Sequence, residues 1–162
     1  MHAEPSSTSA GIKKTIDETE FSSVAAEALR SYDQDFQTFF LAKLLGADIS
    51  FSADTCVVTV RVRDFLKNPQ GTLHGGIIAT IFDISMGHLL NHALGGAGVT
   101  LEMKVQYLRP VRAGAVTCEA RFNKQGRTIN YLEAKMFDAA GVLIAAATST
   151  WHQLPLAGAN QS

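Results

Sequence analysis

From Ile77 to Leu90 the chain is almost wholly apolar, and Asp83 is its only formal charge. Ile77, Ile78, Ile81, Phe82, Ser85 and Leu89 share one broad side at helical spacing. A helix this apolar must be covered over most of its circumference. No window of about 18 residues is free of charge and apolar throughout, which argues against a membrane span. The cover must therefore come from the rest of the chain, and the rest reads mostly as strand. Cys56, Val58, Val60 and Val62 alternate with Val57, Thr59 and Arg61. After the helix, Val99, Leu101, Met103, Val105 and Tyr107 alternate with Thr100, Glu102, Lys104 and Gln106. Further strands are expected over about 113–124, 127–137 and 142–152, with turns at Gln125–Gly126 and Asp138–Gly141. Four successive strands predict an antiparallel meander. The economical fold is α+β: a curved antiparallel sheet wrapped around a long central helix over 75–90.

The sheet and helix account for residues 47–155, a length suited to one domain. Ahead of them, 19–46 read as a helical extension. Phe21, Val24, Ala25, Ala28 and Leu29 are helically spaced, and so are Phe36, Phe39, Phe40 and Leu44. Ser31 or Asp33 is a candidate cap for a second helix there, and Gly46 a candidate stop. Residues 1–18 and 156–162 are expected to be tails, the first of them disordered. The start lacks the basic and apolar regions of a secretion signal, so a reducing cytoplasm is expected. Cys56 and Cys118 both lie in apolar strands and are expected to be unpaired.

Fourteen basic residues oppose fifteen acidic ones, which argues against a nucleic-acid partner. The charge is uneven. Residues 1–40 hold three bases against seven acids, and 41–162 hold eleven against eight. The mildly basic body suits a small phosphorylated ligand.

Three features could carry chemistry. Gly75 and Gly76 open the central helix, where backbone N–H groups lack partners and the dipole is positive. Bare backbone there suits polarisation of a carbonyl; a glycine-rich turn packed under another element is the plainer reading. Asp83 lies mid-helix on a thin stripe with Gly76, Thr80 and Gly87, so it must be hydrogen-bonded, ion-paired or functional. His74 could cap the helix, orient the loop or touch a substrate. His2, His88, His92 and His152 form no metal spacing, and no GxSxG, P-loop or GxGxxG is present. Neither a metal nor an organic cofactor is expected.

Gly75 and Asp83 are eight residues apart, about 12 Å along a helix. One copy cannot bring both to a single carbonyl. Two antiparallel copies can, so if these residues work together the site is shared across a homodimer.

The stretch Asn68–Pro69–Gln70–Gly71–Thr72–Leu73–His74–Gly75–Gly76, followed by Asp83, resembles the hotdog-fold acyl-CoA thioesterases of the phenylacetate-pathway, or PaaI-like, type. Residues 98–114, GVTLEMKVQYLRPVRAG, and the Gly126–Arg127 turn fit the same pattern. The similarity covers about 35–153. It implies hydrolysis of an acyl-CoA or aryl-CoA thioester. Gly75 would supply the N–H to the thioester oxygen, with His74 and Asn68 setting the loop or a water. Asp83 of the neighbouring subunit would act as base or nucleophile, and Thr100 would position the water. Thr100 shares strand parity with Glu102 and Lys104, so its place in a site requires a sheet edge or a bulge. Lys124 with Arg127, and Arg109 with Arg112, are candidates for the coenzyme A phosphates, or else solvated turn residues. A homodimer, paired again through its sheets into a homotetramer, is the expected assembly. The alternatives are a non-catalytic acyl-CoA sensor or scaffold, and a hotdog hydratase or dehydratase.

Overall fold

The computed structural model describes residues 16–52 and 54–155. Of the expected tails, 1–15 and 156–162 lie outside the described residues, while Asp17 and Glu18, assigned to the first tail, cap and open the first helix. Among those described, helices α1 (Glu18–Ser31) and α2 (Phe40–Leu45) precede strands β1 (Asp48–Ser52) and β2 (Thr55–Arg61). A short 3₁₀ turn, Asp64–Leu66, leads to α3 (Gly75–Leu94). Then come β3 (Gly98–Tyr107), β4 (Ala115–Lys124), β5 (Ile129–Asp138) and β6 (Leu143–Gln153).

One six-stranded antiparallel sheet in the order β1-β2-β4-β5-β6-β3 curls around α3. Ile81, Phe82, Met86, Leu89 and Leu90 of α3 are buried in a single core with Val58 and Val60 of β2, Val116 of β4, Leu132 and Met136 of β5 and Ile144 of β6. Each large side chain buried in this way contributes about 1.5–3 kcal/mol. By length and composition alone α3 is apolar enough to cross a membrane, which the uncharged-window argument missed. Here it is the core helix of the sheet, and 56% of its most apolar window is buried.

The four-strand meander is corrected by this order. β4, β5 and β6 form a meander, but β3 pairs with β6 and not with β4. Residues 108–114 make the crossover. Leu108 and Arg109 donate to the Ile144 carbonyl, Val111 accepts from Leu73 N–H, and Gly114 accepts from Val62 N–H. The segment thus passes from the β6 side of the sheet to the β2 side. Alternation sets which face of a strand is buried and leaves its neighbour undetermined. β3 becomes a sheet edge as a result, and β1, too short to show a pattern, is an edge strand that the sequence did not announce.

The helical extension is also divided differently. Asp17 caps α1 through Thr19 and Glu20 N–H, but Ser31 and Asp33 do not cap α2. The Ser31 hydroxyl donates back to the Glu27 carbonyl, and Asp33 accepts from Gln34 N–H. Residues 32–39 are not helical. Asp35 ties them into a turn by accepting from Gln37 and Thr38 N–H at 2.8 and 2.6 Å. Gly46, at φ 64°, ends α2 as its position suggested.

Cys56 and Cys118 are free and buried, and burial pushes both thiols up to about 12. Neither should react with a disulfide reagent such as DTNB at about pH 8 until the protein is unfolded. Two thiols per chain should then appear together in denaturant. Rapid labelling of the folded protein would show that this part of the core opens.

Candidate active site

The start of α3 is built by local bonds. Asn68 Oδ1 accepts from Gln70 and Thr72 N–H at 3.0 and 3.1 Å, and its amide nitrogen donates to Thr72 Oγ1 at 2.9 Å. Its side chain therefore shapes the turn. His74 N–H donates to the Leu66 carbonyl, and His74 is the N-cap, with Nδ1 accepting Gly76 N–H at 2.9 Å. An Nδ1 that accepts places the imidazole proton on Nε2.

The two glycines that helix propensity disfavours answer to two different neighbours. A Cβ on Gly76 would lie 3.1 Å from His74 Nδ1, because the capping ring folds back over it. A Cβ on Gly75 would meet the Tyr107 ring at 3.4 Å, and the Tyr107 hydroxyl donates to the Gly75 carbonyl at 3.1 Å. Gly75 N–H, first in the helix, has no acceptor among the described residues. It faces no competing bond for an incoming oxygen. Asn68, Gly75, Ile78, Tyr107 and Arg109 line a cleft of about 330 Å³ here.

Asp83 lies in a different cleft. It is half-buried, and its Oδ1 accepts from the Thr100 hydroxyl at 2.7 Å. Strand parity would have turned Thr100 away from the core side. The β3–β6 register shifts between Thr100 and Glu102, a bulge on the edge strand, which reconciles Thr100 with the site. This cleft measures about 550 Å³, and its lining includes Phe36, Phe39, Ile84, His88, Val99 and Trp151 beside Asp83 and Thr100. Phe36 and Phe39, which could equally have been core, reach it from the segment between α1 and α2; Phe40 instead packs edge-on against Tyr32. Thr80 and Gly87 of the thin stripe also line it.

The structure thus joins Asn68, His74 and Gly75 at one end of α3, and Asp83 with Thr100 at mid-helix. It does not join the two groups within one chain. Their clefts share no residue, and eight residues of helix separate Gly75 from Asp83 by about 12 Å.

The basic residues are dispersed. Arg109 lines the Gly75 cleft and donates to the Leu143 carbonyl at 2.9 Å. Arg112 and Lys124 are exposed. Arg127 borders a third cleft with Leu94 and His152 at the far end of α3. His88 is buried, with Nδ1 2.7 Å from the Ile84 carbonyl, and His92 stacks on Phe51.

Sequence reasoning missed Tyr107, His88 and Trp151 as site residues. Tyr107 ends an alternating strand, and His88 and Trp151 fall on apolar faces. Only the crossover that makes β3 an edge brings Tyr107 over Gly75 and Thr100 over Asp83.

The sequence model of the thioesterase superfamily matches residues 70–145. Human acyl-coenzyme A thioesterase 13 is 33% identical over 107 residues, 64% of this chain and 76% of that protein. A solved thioesterase from Haemophilus influenzae superposes with a TM-score of 0.70 at 27% identity, covering 75% of this chain and 87% of that one. The Escherichia coli PaaI protein from the phenylacetic acid degradation operon shares the fold, with a TM-score of 0.70 at 24% identity over 82% of this chain and 96% of its own.

Proposed function

Since this chain belongs to the thioesterase superfamily, as a hotdog-fold thioester hydrolase, we propose that it hydrolyses acyl-CoA at two sites shared across a homodimer. The observation that carries the shared site is the separation of an open Gly75 N–H from a Thr100-held Asp83 carboxylate, in clefts that one chain cannot merge. An antiparallel copy of α3 closes that gap. The exposed edge of β3, with Val99 and Leu101 largely exposed beside it, supports a partner on that side. Pairing of dimers into a tetramer is a further part of the proposal.

The chemistry follows from the two groups. The thioester oxygen lies against Gly75 N–H at the positive end of α3. Asp83, oriented by Thr100, removes a proton from water, and the water oxygen bonds to the carbonyl carbon. The carbonyl π electrons move onto the oxygen, where Gly75 holds the charge. Their return breaks the carbon–sulfur bond and releases the acid and the coenzyme A thiolate. Direct attack by the same carboxylate, giving an anhydride that water opens, would need the same two groups. His74 and Asn68 act on the loop: one caps the helix, the other shapes the turn before it.

Phe36, Phe39 and Trp151 make the Asp83 cleft a suitable acyl pocket, with room for an aryl or medium-length acyl group. The test is a hydrolysis screen over acyl-CoAs from acetyl and phenylacetyl to palmitoyl, read as released thiol. Turnover in at least one arm is expected. Tight binding with no turnover in any arm would replace this reading with the sensor alternative.

Arg109, Arg112, Lys124 and Arg127 are proposed to attract the coenzyme A phosphates. Arg127 shares a cleft with Leu94, which is about 16 Å along α3 from Asp83, and this supports a role at the distant phosphates rather than at the carbonyl. Removing Lys124 and Arg127 together should raise KM several-fold with little change in kcat, and high salt should shrink the difference. An unchanged KM would return both to solvated turn residues.

A further inference from the structure

The open Gly75 N–H is a donor with nothing in its own residue to aim it. Glycine is the most permissive residue for the backbone, and two of them stand in the first turn of α3, where helices fray. A useful oxyanion donor must be held to within about 0.5 Å and 10–20°. The hold comes from outside the helix. Tyr107 is 55% exposed, yet it is laid on main chain: its ring stands 3.4 Å from where a Gly75 Cβ would be, and its hydroxyl donates to the Gly75 carbonyl at 3.1 Å. That carbonyl and Gly76 N–H belong to one planar peptide unit, and Gly76 N–H donates to His74 Nδ1 at 2.9 Å. The unit is thus held at its oxygen by β3 and at its nitrogen by the helix cap. The preceding unit, His74–Gly75, carries the open N–H. Its oxygen accepts from Ile77 and Ile78 N–H at 2.9 and 3.1 Å. Its other end is the Gly75 Cα, which the Tyr107 bond holds through the adjoining carbonyl.

Tyr107 is itself fastened. It pairs with Ala145 of β6, and the next two residues, Leu108 and Arg109, both donate N–H to the Ile144 carbonyl, at 2.9 and 3.1 Å. Arg109 Nη1 adds a bond to the Leu143 carbonyl at 2.9 Å. The sheet therefore delivers the phenol to a set place, and Tyr107 and Gly75 line the same cleft. We propose that Tyr107 is a positioning residue for the hydrolysis, whose hydroxyl fixes the Gly75 main chain so that Gly75 N–H stays aimed at the thioester oxygen. The inference rests on the acyl-CoA reading above and adds what holds the donor. In this role the phenol touches no reacting atom and exchanges no proton. Charge on the thioester oxygen grows toward the transition state, so a loosely aimed N–H loses more there than in the bound ground state. The mark of the role is a fall in kcat at nearly constant KM.

The experiment is a double-mutant cycle on the best substrate of the acyl-CoA screen. Tyr107→Phe is made in the wild-type protein and in Gly75→Pro, and kcat is taken per folded chain, from a denaturation curve on each preparation. Phenylalanine keeps the ring beside Gly75 and deletes only the hydroxyl bond. In the wild-type background kcat should fall about three- to tenfold, the worth of one neutral hydrogen bond, with KM nearly unchanged. In the Gly75→Pro background the donor that Tyr107 aims is already gone, so the same substitution should change kcat by less than about twofold. A hydroxyl that served only the fold would cost stability and leave kcat per folded chain as it was. Wild-type kcat in Tyr107→Phe would overturn the inference. So would the same fold-loss in both backgrounds, or a change confined to KM, and each of these leaves the thioesterase reading standing. A wild-type protein that hydrolyses no acyl-CoA in the screen would overturn that reading, and this inference with it.

Discussion

Asp83→Asn is expected to lower kcat by about 10²–10⁴-fold, the range of a lost general base. The amide matches the carboxylate in shape, and its oxygen can still accept from the Thr100 hydroxyl at the observed 2.7 Å. The cleft should therefore keep its form while the group that takes the water proton is lost. KM should change little, because Gly75 and the basic residues are untouched. The measurement pairs steady-state thioester hydrolysis with a denaturation curve on the same preparation. A carboxylate that served only packing would appear as reduced stability with activity retained per folded molecule. Wild-type kcat in a fully folded variant would remove Asp83 from the mechanism.

Gly75→Pro should cost about 10²–10³-fold in kcat, the loss that follows removal of one oxyanion donor. Proline at the first position of a helix deletes an N–H that the helix itself does not use, and its fixed φ suits that position. The preceding residue must be extended, and His74 already is, at φ −63° and ψ 135°. The substitution therefore subtracts the donor without breaking α3. Gly75→Ala is the control. It keeps the N–H and adds only a Cβ at 3.4 Å from the Tyr107 ring, so its loss should be much smaller. Equal losses in the two variants would assign the effect to crowding against Tyr107.

The same two variants report whether the site is shared. When Asp83→Asn and Gly75→Pro chains are mixed and allowed to exchange, a heterodimer has one site with both lesions and one with neither. Random exchange should restore about a quarter of wild-type activity, since half the dimers are mixed and half their sites are intact. No recovery after exchange shown by mass measurement would rule out a site that takes Gly75 from one chain and Asp83 from the other.

Much of this arrangement was legible in residue order alone. The apolar run over 77–90 required a helix wrapped by sheet, because an amphipathic surface helix could not carry so many large side chains in water. Turn chemistry at Asn68 and the paired glycines marked the helix start, since both depend on local backbone bonding that a few neighbouring residues determine. Asp83 stood out because a carboxylate among Ile81, Phe82 and Ile84 needs a reason to be there. Even the separation of Gly75 from Asp83 came from helix rise, and with it the case for two chains.

What only the tertiary structure decided depends on contacts between residues far apart in sequence. Alternation assigned faces to the strands it announced, yet it did not indicate that β3 leaves the meander and pairs with β6. That choice makes β3 an edge, allows the bulge after Thr100, and so brings Thr100 to Asp83 from the wrong strand parity. It also carries Tyr107 to the carbonyl of Gly75. The capping bond from His74 accounts for Gly76, and the Tyr107 ring accounts for Gly75, so two adjacent glycines that read as one motif answer to different neighbours. The place of His88 and Trp151 on the Asp83 cleft was invisible for the same reason: in sequence each is a residue on an apolar face, and only packing sets both on that lining.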